Sequence, residues 1–173
     1  MYYATTHPSP VGLITLASDG SSLVGLWLEG QKYHGQSIPE AMIEKSNLPV
    51  FDATRRWLDG YFAGGKPASS ELVFAPIGSA FRQAVWNILC GIPYGEVITY
   101  GQIAKKLAVK SSQAVGGAVG HNPISIIVPC HRVVGANGSL TGYAGGVRTK
   151  IKLLELEGVD MSGLFVPKKG SAL

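Results

Sequence analysis

Cys130 and His131 stand side by side in the run Val128-Pro129-Cys130-His131-Arg132-Val133. A thiolate is a strong nucleophile, and a neighbouring imidazole can lower a thiol's pKa and take its proton. The pair therefore offers nucleophilic attack by sulfur with histidine as the base. Adjacent residues of an extended chain point to opposite faces, so direct contact needs a bend after Pro129 or a bridging water. As a dipeptide the pair is not specific, since a buried structural cysteine beside a surface histidine is the commoner occurrence. The second cysteine, Cys90, has no histidine or carboxylate next to it in sequence and reads as packing. Two cysteines do not make a disulfide framework.

Several elements must position that pair. Ile124-Ser125-Ile126-Ile127-Val128 is apolar and β-branched and reads as a buried strand, with Pro129 breaking any ladder beyond it. Upstream, Phe81, Ala84, Val85, Ile88 and Leu89 mark an amphipathic helix that stops at Gly91-Ile92-Pro93. Thr99-Tyr100-Gly101-Gln102 has the form of a capping box and opens a helix through Ile103, Ala104 and Leu107. After a break at Val109-Lys110, Ser111 and Ser112 are N-caps for a second helix over 113–120. Two short helices with a tight connection form a helix-turn-helix pattern, which also occurs in proteins that never meet DNA.

The second helix is unlike a major-groove reader, which carries several long polar side chains. Gln113-Ala114-Val115-Gly116-Gly117-Ala118-Val119-Gly120 carries one, Gln113. Its glycines each weaken a helix by about 1 kcal/mol relative to alanine. Such a helix suits close helix–helix packing, or close approach to a DNA backbone or minor groove with little sequence preference. The second use argues against a sequence-specific repressor.

The N-terminal part is plainer. Residues 11–17 and 22–28 are β-like runs flanking Asp19-Gly20, a hairpin turn signal. Gln31 to Asn47 is polar and without a period. Val50, Phe51, Thr54, Trp57, Leu58, Tyr61 and Phe62 then fall at helical spacing, ended by Ala63-Gly64-Gly65-Lys66-Pro67, and their aromatics are core rather than a ligand platform. Leu72-Val73-Phe74 is a further edge strand. Nothing in this lobe carries recognisable chemistry.

The chain has 173 residues, 46% of them hydrophobic and 15% charged, which suits one domain or two small lobes and excludes a disordered chain. No segment approaches the roughly 18 apolar residues of a membrane span. The start, MYYATTHPSP, lacks the pattern of a signal peptide. These features lead us to expect a soluble, cytoplasmic protein with reduced thiols and no membrane partner. The formal net charge of +4 is unevenly divided. Residues 1–76 carry five basic and seven acidic side chains, whereas residues 77–173 carry ten basic and four acidic. The basic excess thus lies where the cysteine and the helix pair are, as expected if that part meets a polyanion. Of 23 glycines, fifteen follow residue 77.

Pro129-Cys130-His131-Arg132-Val133, with Asn122-Pro123 before it and Gly142-Tyr143-Ala144-Gly145-Gly146 after it, resembles the O6-alkylguanine-DNA alkyltransferases, the methylated-DNA–protein-cysteine methyltransferases. The likeness runs in consistent order from Phe81, through Tyr94-Gly95-Glu96-Val97 and Thr99-Tyr100, to Leu153-Leu154-Glu155-Leu156-Glu157-Gly158. It implies an α/β (α+β) fold. A ribonuclease H-like lobe of sheet plus helix over 1–76 would precede a helix-turn-helix, winged-helix-like domain over 77–173. It also implies a partner, double-stranded DNA carrying O6-alkylguanine and bound through the minor groove. The alkyl group, from guanine and also from O4-alkylthymine, would pass irreversibly to Cys130 in a single turnover by a monomer without cofactor.

The same resemblance implies the roles. Cys130 accepts the alkyl group, His131 deprotonates it through a water, and Glu157 orients the imidazole. Asn122 stabilises the turn between the recognition helix and the nucleophile strand. Tyr100 assists nucleotide rotation and is favoured over Tyr143 as proton donor to the leaving guanine. Tyr143, Ala144 and Gly145 line the base pocket, Arg132 supports the site, and Gln113, Ala114, Gly116 and Gly117 face DNA. A flipped base costs a few kcal/mol to extract, less when damaged.

The chain departs from the family at Gln113, where members commonly carry an arginine that enters the stack. Glutamine lacks the charged, planar guanidinium. Some members bind zinc in the N-terminal lobe. Here that lobe has no cysteine, and His7 and His34 alone do not form such a site, so no metal is expected. Two other activities fit fewer residues: a non-catalytic binder of alkylated DNA, and a cysteine hydrolase using Cys130, His131 and Glu157.

Overall fold

The structure, a computed structural model, describes residues 1–168 and divides into two compact units. The first unit comprises Met1–Gly78 together with the short segment Pro123–Ile127. Its sheet has the order β3-β2-β1-β4, from β1 (Tyr2–Ser9), β2 (Gly12–Ser18), β3 (Leu23–Leu28) and β4 (Met42–Glu44). The expected hairpin is β2–β3. Asp19 Oδ1 accepts from the Ser21 and Ser22 amides at 2.9 and 2.7 Å, and Gly20 takes a φ of +107° that few other residues tolerate. The sequence pattern missed β1, whose Pro8 argues against a strand, and β4, a three-residue strand parallel to β1. Helix α1 (Pro49–Phe62) buries Phe51, Trp57, Leu58 and Tyr61, as its periodicity predicted. Residues 72–74 form no strand; Phe74 makes a single bridge to Leu23.

The second unit is mainly helical. It contains α2 (Ala80–Cys90), a two-residue strand β5 (Ile98–Thr99), α3 (Tyr100–Lys106), α4 (Ser112–Gly120), β6 (Val133–Val134) and α5 (Val147–Leu156). The capping box opening α3 is complete: Thr99 Oγ1 accepts from the Gln102 amide, and Gln102 Oε1 accepts from the Thr99 amide at 2.7 Å. A left-handed residue, Ala108 at φ +53°, ends α3, and Ser111 caps α4 through the Ala114 amide. Trp86 of α2 donates to the Ala118 carbonyl at 2.8 Å and so fastens α4 to α2. Val134, Leu140, Leu154 and Val159 form a core cluster beneath α5.

The buried strand expected over 124–128 is not there. The segment is as buried as its composition predicts, for Ile124, Ile126, Ile127 and Val128 are all at most 2% exposed. The conformation is instead a succession of turns. Ile126 has φ +71°, unusual for a β-branched residue, and the Ile127 amide donates back to Ser125 at 2.8 Å, closing a three-residue turn. Main-chain bonds between this segment and Leu26 take up its polar groups: the Leu26 amide donates to Pro123 at 2.8 Å and the Ser125 amide to Leu26 at 3.0 Å.

Candidate active site

Three consecutive features present Cys130. Pro129, at φ −82° and ψ 67°, is the centre of an inverse γ-turn in which the Cys130 amide donates to Val128 at 2.8 Å. Cys130–Arg132 then forms one 3₁₀ turn, so Cys130 and His131 are not on opposite faces of an extended chain. The bend is there, but it brings no direct bond from Cys130 to the His131 ring, whose Nδ1 has no partner among the described residues. Finally, Asn122 Nδ2 donates to the Val128 carbonyl at 2.8 Å, which fixes the entry to that turn, and the Asn122 side chain also hydrogen-bonds the Cys130 thiol.

Burial decides the protonation of the thiol. It pushes the Cys130 pKa up, against the Asn122 hydrogen bond, the Lys150 ammonium and the Cys130 and His131 amides, which pull it down. Cys130 is therefore a protonated thiol at neutral pH and needs a base to become a nucleophile. His131, fully buried, is suited to that task. Its Nε2 bonds Glu157 Oε2, while its buried Nδ1 has no partner among the described residues.

Glu157 owes its place to the end of α5. Gly158, at φ +74°, closes the helix, with its amide donating to Glu155 and that of Val159 to Leu154, and leaves Glu157 as the C-cap. Burial raises its pKa, but hydrogen bonds and charge from His131 and Arg132 outweigh this and hold it at about 2. Arg132 Nε donates to Glu157 Oε1 at 2.6 Å and Nη1 to the Ile92 carbonyl at 2.7 Å. Because the carboxylate is ionised, His131 Nε2 must carry the proton, which leaves a lone pair on Nδ1. Desolvation holds His131 below its ordinary pKa, so the ring is neutral at physiological pH.

Tyr100 donates to the Thr141 carbonyl at 2.9 Å. Burial, and then the nearby Cys130, push its pKa far above the ordinary tyrosine value, so it stays protonated. Tyr143 is buried, with its ring edge-on to His131 at 6.5 Å between centroids, while Ala144 and Gly145 are half-exposed in the loop leading to α5. Gln113, Ala114 and Gly117 lie exposed on α4, outside the hydrogen-bonded cluster around Cys130. Among the described residues outside the helix's own backbone, a Cβ on Gly117 or Gly120 would meet nothing within 4 Å, and on Gly116 only the Tyr100 ring at 3.9 Å. Packing among the described residues therefore demands none of these glycines.

One central residue escaped sequence reasoning. Lys150 is fully buried, with Nζ donating to the Val133 carbonyl at 2.5 Å and the Thr141 carbonyl at 3.0 Å. Desolvation lowers its pKa to about 8, partly offset by Cys130. The available signal was periodicity, since Lys150 falls on the apolar stripe of Val147, Ile151 and Leu154. Among the described residues no three His, Cys, Asp or Glu side chains are grouped as a metal requires, and no helix is long and apolar enough to cross a membrane.

Comparison with known proteins decides the family. The model for the ribonuclease-like domain of 6-O-methylguanine DNA methyltransferase matches residues 1–76, and the model for its DNA binding domain matches residues 80–159. The chain belongs to the 6-O-methylguanine DNA methyltransferase family. Its relatives in that family include a methylated-DNA–protein-cysteine methyltransferase of Methanosarcina acetivorans, 48% identical over 91% of this chain and 99% of that one. Another, from Haemophilus influenzae, is 44% identical over 90% of this chain and 86% of its own length. The crystal structure of the Mycobacterium tuberculosis O6-methylguanine methyltransferase superposes with a TM-score of 0.79 at 42% identity, covering 91% of this chain and 93% of that chain. The M. tuberculosis OGT solved in complex with DNA gives 0.78 at 43% identity, covering 90% and 91%. The mixed α/β fold expected from the resemblance, an N-terminal sheet followed by a helical DNA-binding domain, is the family's fold.

Proposed function

We propose that this protein repairs DNA by transferring an alkyl group from O6-alkylguanine to its own Cys130, once per molecule. One observation carries the proposal: a buried thiol follows a turn fixed by Asn122 and precedes an imidazole whose Nε2 is committed to an ionised carboxylate. His131 Nδ1 takes the thiol proton through a water. Sulfur then attacks the methyl carbon, and the C–O6 electron pair leaves with guanine. Tyr100, kept protonated by burial, supplies the proton that neutralises the departing guanine. The product is a thioether, which nothing in the site is built to hydrolyse. Thymine alkylated at O4 offers the same leaving-group chemistry and is a second substrate.

Exposed Ala114 and Gly117, with half-exposed Gly116 between them, favour a DNA surface on α4. Ala114, Gly116 and Gly117 let a minor groove approach, and Gln113 takes the position beside the vacated base. The loop of Tyr143, Ala144 and Gly145 lines the pocket for the flipped base, and Arg132 holds Glu157. In this proposal residues 77–173 form the DNA-binding and alkyl-transfer domain and residues 1–76 the accompanying lobe. The protein works as a monomer in the cytoplasm.

The test is an intact mass after incubation with a duplex carrying O6-methylguanine. A single added methyl supports the proposal, whereas tight binding of the lesion with no gain of mass makes the protein a binder and sinks it. Affinity is also expected to fall with salt at a slope of about −0.9 per phosphate contact.

A further inference from the structure

Glu157 is held from one side by a turn for which the chemistry above has no use. The Glu96 amide donates to the Pro93 carbonyl at 3.1 Å, closing a four-residue turn with Gly95 in its third position at φ +81°. The Gly95 amide donates to Glu157 Oε1 at 3.2 Å. A Cβ on Gly95 would stand 3.1 Å from the Glu157 main-chain carbonyl oxygen, so the turn also packs against the backbone of the same residue. Tyr94 extends the contact, its hydroxyl donating to the Leu156 carbonyl at 3.3 Å in the last turn of α5. The Arg132 guanidinium lies 5.7 Å from the centroid of the Tyr94 ring and donates to Ile92, just ahead of the turn.

We propose that Pro93–Glu96 is a positioning element for the transfer reaction, in which Gly95 and the Tyr94-supported Arg132 occupy Oε1 of Glu157 and so reserve Oε2 for His131. It rests on the assignment of His131 as the base for Cys130. A carboxylate has two equivalent oxygens, and rotation about its last side-chain torsion is soft. With two donors fixed on Oε1, the carboxylate has one orientation, and the imidazole takes the tautomer with its proton on Nε2. Without them the carboxylate turns, and Nδ1 is no longer reliably the basic nitrogen. The charged and titratable groups facing His131 are Glu157, Arg132 and Lys150, with Cys130 adjacent and Tyr143 edge-on. Of these, Glu157 and Arg132 are the ones the turn touches.

The variants Tyr94→Phe, Tyr94→Leu and Gly95→Ala separate its parts. Two readouts apply: the His131 tautomer from ¹⁵N NMR of the DNA-free protein, and the pH profile of single-turnover methyl transfer from an O6-methylguanine duplex. Tyr94→Phe keeps the ring under Arg132 and is expected to match the parent within about two-fold. Tyr94→Leu and Gly95→Ala are expected to mix the tautomers and slow transfer about ten-fold, a fraction of the roughly 10²–10⁴ that a placed general base supplies. Parent-like tautomer and pH profile in both would overturn the proposal. If Gly95→Ala does not fold, Tyr94→Leu against Tyr94→Phe decides it. If the parent transfers no methyl yet the tautomer shifts in the variants, positioning stands and the transfer assignment fails.

Discussion

The two units bury different kinds of polar group. In the first, the buried polar residues are Ser18, Gln31, Thr54 and Ser125, all neutral. Each is tied to its own surroundings: Ser18 Oγ bridges Ser22 and Gly20 across the hairpin turn, and Gln31 Oε1 accepts from the Leu28 amide and the Ser125 hydroxyl. Among the described residues of the second, the buried polar ones are Asn122, His131, Lys150 and Glu157, three of them ionisable, around a buried thiol. A hydrogen-bonded neutral group is cheap to bury, but an ion costs several kcal/mol before its partners repay it. Polar groups of the first kind fix turns, while a cluster of the second kind marks the place where shifted pKa values are used.

Substitutions across the two sets sharpen this contrast. Cys130→Ala is expected to abolish methyl transfer outright while leaving binding of a methylated duplex intact, read by mass and by gel shift. Glu157→Gln comes next: transfer falls by about 10²–10⁴-fold as the base loses its orientation. Stability falls too, by about 3–5 kcal/mol, because Arg132 keeps a largely buried charge without its partner. Its pH signature is distinct. A carboxylate held at about 2 contributes stability present above its ordinary value of 4.5 and lost as pH falls through 2. Urea titrations across that window are expected to show this loss in the parent and a smaller one in the variant.

Lys150→Met has a smaller effect. Removing the ammonium raises the thiol pKa, and one unit is worth about ten-fold in the thiolate fraction. The folded Lys150 titrates at about 8, below its ordinary 10.5, so the unfolded chain binds more protons between those values and parent stability rises with pH there. That rise is expected to disappear in the variant. Ser18→Ala, in the first unit, lies at the bottom of the scale. It is expected to cost about 1 kcal/mol of stability and leave transfer unchanged. A loss of transfer in Ser18→Ala comparable to that in Lys150→Met would dissolve the distinction between the units.

The departure at Gln113 makes a separate prediction. Gln113→Arg adds a charge and a planar group able to stack, and is expected to raise lesion affinity and transfer rate several-fold in a stopped-flow comparison.

Local signals carried much of the fold. Capping residues such as Thr99 and Ser111, the Asp19-Gly20 turn and the stripe of α1 are short-range patterns with short-range causes. The run 124–128 shows their limit. Its side chains reported burial faithfully, but the turns at Ile126 and Pro129 follow from tertiary bonds to Leu26 and Asn122, which no periodicity encodes. The candidate site was legible as a motif through Pro129-Cys130-His131-Arg132-Val133 and its companions, whose geometry no motif carries. Lys150 escapes a sequence reading because its charge argues for solvent while its place on an apolar stripe argues for burial, and only its carbonyl partners reconcile the two. Gly95 was visible as part of a motif, and its amide bond to Glu157 became apparent only across 62 residues of chain.

Self-alkylation at one cysteine fixes a stoichiometry that can be measured. The protein is titrated with increasing O6-methylguanine duplex, and transferred methyl groups are counted per chain and located by peptide mass. Saturation is expected at one methyl per chain, on the peptide bearing Cys130, with guanine restored in the DNA. Continued demethylation beyond one equivalent, or a methyl found on another residue, would contradict it.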